Sequence, residues 1–86
     1  VTVGRNPIQV FATPNGRFVY VANQGSEANP ANTVSVISTA TNRVAATTVT
    51  GQGAHGVVVS DDGQRAFIAN IVDNTVSVMD TATHKV

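Results

Sequence analysis

Hydrophobic and polar positions along the chain fall into short blocks of strand type. Residues 8–13 (IQVFAT) and 17–23 (RFVYVAN) are rich in β-branched and aromatic side chains, which fit a pleated surface. Between them stand Pro14, Asn15 and Gly16. Proline presets one φ, and glycine takes the left-handed position of a tight turn. Residues 32–37 (NTVSVI) set Val34 and Val36 against Thr33 and Ser35, the alternation of a strand with two unlike faces. Residues 43–50 (RVAATTVT) predict a fourth, more polar strand. The stretch 24–31 (QGSEANPA) has no periodicity and predicts a polar loop. Residues 38–42 predict a turn, closed by the Ser38 side chain accepting a backbone amide. No window carries the period of a helix, and no helix is predicted.

The same blocks recur. Residues 32–44 (NTVSVISTATNRV) lie over 74–86 (NTVSVMDTATHKV) at a shift of 42, with nine of 13 positions identical. Residues 4–23 lie over 51–70 at a shift of 47, which sets Gly16 on Gly63, Ala22 on Ala69 and Asn23 on Asn70. The difference is a five-residue insertion within 24–31 of the first copy. Such self-similarity marks an array of like supersecondary units. Repeat 1 runs over about 4–50 and repeat 2 over about 51–86, with 1–3 the tail of a preceding outer strand. In the second copy 51–56 (GQGAHG) predicts a flexible connector, followed by strands over 57–60, 64–70 and 75–79. Asp61, Asp62 and Gly63 make its first turn, and Asp80 takes the place of Ser38 at the second.

Residues 18–22 (FVYVA), 57–59 (VVV) and 66–69 (AFIA) are apolar at consecutive positions. A sheet with one wet face alternates, so these strands predict cover on both faces. Apolarity falls from the first strand of a unit to the fourth. The pattern predicts an all-β chain of two four-stranded antiparallel meanders, built as β-propeller blades with the outermost strand toward water. Two blades alone leave two large apolar faces without neighbours, and repeat units of this kind need about three or more copies. Further blades are therefore the expected partners, from like chains in a homo-oligomer or from the rest of a longer chain. Val86 stands at the register of Val44 and Val1 at that of Thr48, so about three residues separate successive chains in the repeat frame. Assembly from like chains predicts six blades from three chains or eight from four. A designed chain, or one trimmed at a repeat boundary, would have the same register.

Composition narrows the classes of function. There is no cysteine, hence no disulfide and no thiolate metal site. Five basic residues balance five acidic ones, and Arg5, Arg17, Arg43, Arg65 and Lys85 are dispersed. Nucleic acid is not an expected partner, because phosphate binding needs clustered cations. Zero net charge weakens repulsion between copies. No apolar run is long enough to cross a membrane as a helix.

Residues that carry chemistry are sparse. His55 precedes the first strand of repeat 2, the place a propeller brings to the mouth of its channel. It is a weak metal candidate, with a loop histidine bonded to backbone carbonyls as the alternative. No second ligand stands at metal spacing, and His84 falls in an outer turn. Ile8 occupies the place of His55 in the first copy, which argues against a repeated catalytic ring. Asn15, Gly16, Asp62 and Gly63 are turn formers, and adjacent Asp61 and Asp62 splay apart in such a turn. Asn23 and Asn70 end the second strands, where asparagine tolerates left-handed backbone and serves structure. No serine sits in a nucleophile motif, and Gly51-Gln52-Gly53 precedes a strand rather than a helix, so it is no phosphate loop. The insertion, with Gln24, Glu27 and Asn29, is the binding-loop candidate, or else a neutral loop extension. No catalytic residue and no cofactor is predicted.

At Tyr20-Val21-Ala22-Asn23 and Phe67-Ile68-Ala69-Asn70 the chain resembles the YVTN family of β-propeller repeats. The turns TPNGR and SDDGQ, then NTVSVISTATNRV and NTVSVMDTATHKV, support the resemblance over nearly the whole chain. It departs at Ala22 and Ala69, where the family name has threonine, and at Ala54, where a proline is common. The resemblance implies a bacterial or archaeal propeller, periplasmic, extracellular or on the cell surface, often in a surface layer and often with no assigned activity. More distantly, the pattern is similar to lactonase-like and quinone- or haem-dependent propeller enzymes. The expectation is a non-catalytic scaffold or binding module. The alternative is a piece of a propeller enzyme whose reacting groups lie on other blades.

Overall fold

The computed structural model describes Val1–Val86 and contains seven strands and no helix. Strands β1 (Pro7–Ala12), β2 (Phe18–Gly25), β3 (Pro30–Ser38) and β4 (Arg43–Val49) form one antiparallel sheet in that order. Strands β5 (Ala54–Val59), β6 (Arg65–Asn70) and β7 (Thr75–Asp80) form a second. Each sheet is a meander of the β-propeller blade type. The second has three strands where the repeat predicts four: after β7 the chain turns, and a lone bridge between Asp80 and Lys85 begins the fourth. Val1, Thr2 and Val3, predicted as a strand tail, have no ladder partner.

Turn chemistry explains why the hairpins form where they do. Gly16 and Gly63 sit at φ of 72° and 74°. Their amides donate to the Thr13 and Ser60 carbonyls at 2.9 and 2.8 Å. Asn15 Oδ1 accepts from the Thr13 hydroxyl at 2.7 Å and the Arg17 amide at 2.9 Å. Asp62 Oδ1 does the same with the Ser60 hydroxyl at 2.6 Å and the Gln64 amide at 3.0 Å. At the outer turn Asp80 Oδ1 accepts from the Ala82 amide at 2.7 Å. Ser38 departs from expectation, because its backbone carbonyl, not its hydroxyl, accepts the Asn42 amide at 2.8 Å.

Two predicted loops are half strand. The insertion extends the β2–β3 hairpin: Gly25 pairs with Pro30 beyond a register shift, and residues 26–29 alone form the tip. Arg5 reinforces it by donating to the Asn29 carbonyl at 2.9 Å. Likewise Ala54, His55 and Gly56 belong to β5 rather than to a connector. Backbone pairing with the next strand outweighs weak local propensity in both places.

The core lies between the two blades. Only 19 of 86 residues are buried, and ten of them form one cluster at this interface. Blade 1 contributes Tyr20, Ala22, Val34 and Val36; blade 2 contributes Ala54, Val57, Val59, Ala66, Ile68 and Met79. The inner strand β5 packs against β1 and β2. Cover on both faces holds for β2 but not for β6, whose residues alternate between exposed and buried. Strand β1 is exposed along most of its length. The reason is geometric: two sheets share one interface and leave two faces outward.

Those outward faces are copies of the inward ones. On blade 2 the open face carries Val58, Phe67, Val76 and Val78, which are 51, 38, 62 and 44% exposed. Their repeat counterparts on blade 1 are Phe11, Tyr20, Val34 and Val36, all packed in or against the core. On blade 1 the outward face carries Val10, which is 60% exposed, the half-buried Val19 and Ile37 and the buried Val21, which share a face through the ladder pairs Val10 with Val21 and Val19 with Ile37. Their counterparts Val57, Ala66, Ile68 and Met79 are buried against blade 1.

Candidate functional site

The hairpin ends at the β2–β3 side of the molecule gather most of the residues singled out by sequence. Gln24 lies on β2 just below the tip, and His55 lies on β5 of the next blade. The His55 Nδ1–H donates to Gln24 Oε1 at 2.9 Å. One blade thus reaches the other through a side-chain pair. No group of three or more His, Cys, Asp or Glu side chains gathers anywhere as a metal site.

Beside this pair is a cleft of about 400 Å³ lined by Gln24, Ser26 and Glu27 of blade 1 and Ile71 and Val72 of blade 2. Its walls are the insertion hairpin and the shorter turn of the next blade. Gly53 fixes that second wall: its φ is 73°, and a Cβ there would lie 2.7 Å from Val72 Cγ2. The arrangement suits binding at a rim, with one carboxylate, one carboxamide and an aliphatic shelf. Asn29 is not part of it; its carbonyl is held by Arg5 and its amide donates to the Ser26 hydroxyl at 3.0 Å.

The turn residues lie elsewhere. Asn15, Gly16, Asp62 and Gly63 are in the β1–β2 and β5–β6 hairpins, at the opposite ends of β2 and β6. The Ser60 hydroxyl, then the Gln64 amide, holds the Asp62 carboxyl below the ordinary 3.8. Asn23 and Asn70 are not turn residues. Both are buried, Asn70 at the end of β6 as expected and Asn23 inside β2, and the left-handed positions fall to Asn6, Asn42, Asn74 and His84 instead. The Asn70 carboxamide donates to the Ser77 and Thr75 hydroxyls at 2.8 and 3.2 Å. The Asn23 carboxamide donates to Ser35 and Thr33 at 2.9 and 3.1 Å. Each joins the second strand of its blade to the third.

Three contacts between blades have no local sequence signal. The Val57 amide donates to Gln9 Oε1 at 2.7 Å, which ties β5 to β1. The Thr48 hydroxyl donates to the His84 carbonyl at 2.5 Å. The His84 ring stands edge-on to Phe18, with centroids 4.9 Å apart, and its Nδ1 lies 3.5 Å from the Tyr20 hydroxyl. Burial, then the Asp80 carboxylate, raises the Tyr20 phenol above its ordinary 10.0. The polar positions of Gln9 and His84 would flag them only if the neighbouring blade were already in place.

No family model matches the chain, and no curated protein does. Among solved structures it is similar to Kuenenia stuttgartiensis hydrazine synthase, with a TM-score of 0.85 and 20% identity. The match covers 98% of this chain and 22% of that one. The chain therefore spans about a fifth of its neighbour's length, and the likeness is one of fold: the paired-blade arrangement recurs as part of a longer polypeptide.

Proposed function

We propose that the chain is a non-catalytic β-propeller module of YVTN type, which joins further blades in a ring and offers its rim as a binding surface. The observation behind this is that each open face repeats, residue for residue, a face already buried against a blade. Phe67 stands where Tyr20 does, and Val10 where Val57 does. A surface of that design fits another blade of the same kind. The cleft at Gln24 and Glu27 then repeats at a junction between blades, where a scaffold presents its loops. A periplasmic, extracellular or cell-surface location accords with the family resemblance.

Light scattering on the purified 86-residue chain tests the proposal. The expected mass is a multiple of 8.9 kDa. A monodisperse, folded species of 8.9 kDa overturns it. A second reading, part of a propeller enzyme, is prompted by the likeness to hydrazine synthase. Lactone turnover or a cofactor absorbance in the purified protein would put that reading first.

A further inference from the structure

We infer that the cleft between the insertion hairpin and the turn at Ile71 and Val72 receives a lysine side chain of a partner polypeptide. The inference rests on the reading of the rim as a binding surface and names what that surface takes.

Of the five residues lining the cleft, Glu27 alone is charged. No cation lines it to hold an anionic ligand, and no aromatic ring lines it to stack on a sugar or a base. One carboxylate is too few for a divalent metal ion, which takes six or more oxygens. Arg5 flanks the same hairpin, but its guanidinium donates to the Asn29 and Pro30 carbonyls at 2.9 and 3.4 Å rather than to Glu27. Asp73, next to Val72 and exposed, adds a second negative charge beside the shelf. The cleft therefore favours a cation.

The kind of cation follows from the acceptors. Ser26 Oγ accepts the Asn29 amide at 3.0 Å and keeps a second lone pair. Gln24 Oε1 lies 2.9 Å from His55 Nδ1 and keeps one too. With the Glu27 carboxylate, these oxygens match the three donors of an ammonium group. A guanidinium carries five donors in one plane and would leave some unmet. On the other wall Ile71 and Val72 are 49 and 46% exposed at consecutive turn positions. They offer an aliphatic shelf on which the methylenes of a lysine stem can lie.

Two features favour a polypeptide over a free amine. The cleft, at about 400 Å³, has room for the lysine together with its flanking backbone. His55 engages the oxygen of the Gln24 carboxamide, which leaves Nε2 to donate to a carbonyl of that backbone. A simple amine offers no such acceptor. Both walls are also fixed in advance. The Ile71 and Val72 amides donate to the Gly53 and Gln52 carbonyls at 3.0 and 3.2 Å, and the Gln52 amide to Asp73 Oδ2 at 2.8 Å. Opposite, the Gln24 and Gly25 amides donate to the Asn6 and Arg5 carbonyls, both at 3.1 Å. A preformed cleft spares the ligand the cost of ordering it.

Backbone amide shifts of the isotope-labelled chain test this, with a capped Gly-Gly-Lys-Gly-Gly peptide as probe. The Ser26, Glu27, Ile71 and Val72 amides are expected to move. The same peptide with norleucine for lysine keeps the stem and loses the charge, and should bind about fivefold more weakly. Glu27→Gln, at an exposed hairpin tip, should weaken the lysine peptide by about the same factor, and added salt should weaken it further. Equal binding of the norleucine peptide overturns the lysine and leaves the rim a binding surface. Butylamine binding as tightly as the peptide overturns the polypeptide partner. If no probe moves the lining, the inference is overturned, and light scattering on the same sample shows whether the association of blades stands without it.

Discussion

At the scale of single residues, equivalent positions solve the same problem with different chemistry. Asn15 and Asp62 each accept a hydroxyl and an amide to close a hairpin, but the carboxylate alone titrates. The folded pKa of Asp62 lies below the ordinary 3.8, so its contribution is present above about pH 4 and is lost as pH falls through the folded value. Asp62→Asn should leave the thermal midpoint at neutral pH unchanged and flatten its fall in acid, as followed by circular dichroism across a pH series. Tyr20 has the opposite dependence. It is the single tyrosine, and its phenol is held neutral above 10.0 in the folded chain. Its contribution is complete below pH 10 and is lost as pH rises through the folded value. Ultraviolet titration should show the folded phenol ionising at higher pH than in denaturant.

At the scale of elements, hairpin geometry rests on a few glycines whose surroundings differ. Gly16 has φ of 72° and open space where a Cβ would go, so Gly16→Ala should cost only the left-handed penalty, about 1 kcal/mol. Gly25 has φ of 71°, and its Cβ would strike the Ala31 backbone amide. Gly25→Ala should therefore cost more, about 2–3 kcal/mol, and open the hairpin that walls the cleft. Urea denaturation of the two variants checks the order. The turns at Gly16 and Gly63 were legible because their chemistry is local. The pairing of Gln24 and Gly25 was not, since a polar stretch becomes strand only when Arg5, Asn6 and Pro30 lie beside it.

At the scale of the whole molecule, the deciding fact is that one interface serves two sheets. Burying a side chain such as Phe67 contributes roughly 2 kcal/mol, about thirtyfold in affinity, and burying a carboxylate in its place costs more. Phe67→Asp and Val10→Asp should each abolish association while leaving the in-chain core intact. A mixture of the two should recover a pair at twice 8.9 kDa, because one sound face of each kind remains. A two-fold contact between like faces would give no such rescue, and sedimentation of the mixture distinguishes the cases.

Sequence by itself determined the repeat, the strand order within each blade and the turns at Asn15, Gly16, Asp62 and Gly63. Those features depend on residues within a few positions of one another. Tertiary structure alone decided which copies are buried. Tyr20 and Phe67 hold the same repeat position, yet the first is 0% exposed and the second 38%. It also placed Gln9 on the Val57 amide, Gln24 on His55 and His84 against Phe18. In a stack of like units each residue's surroundings come from the neighbouring blade, and the periodicity of one strand does not say on which side a neighbour stands.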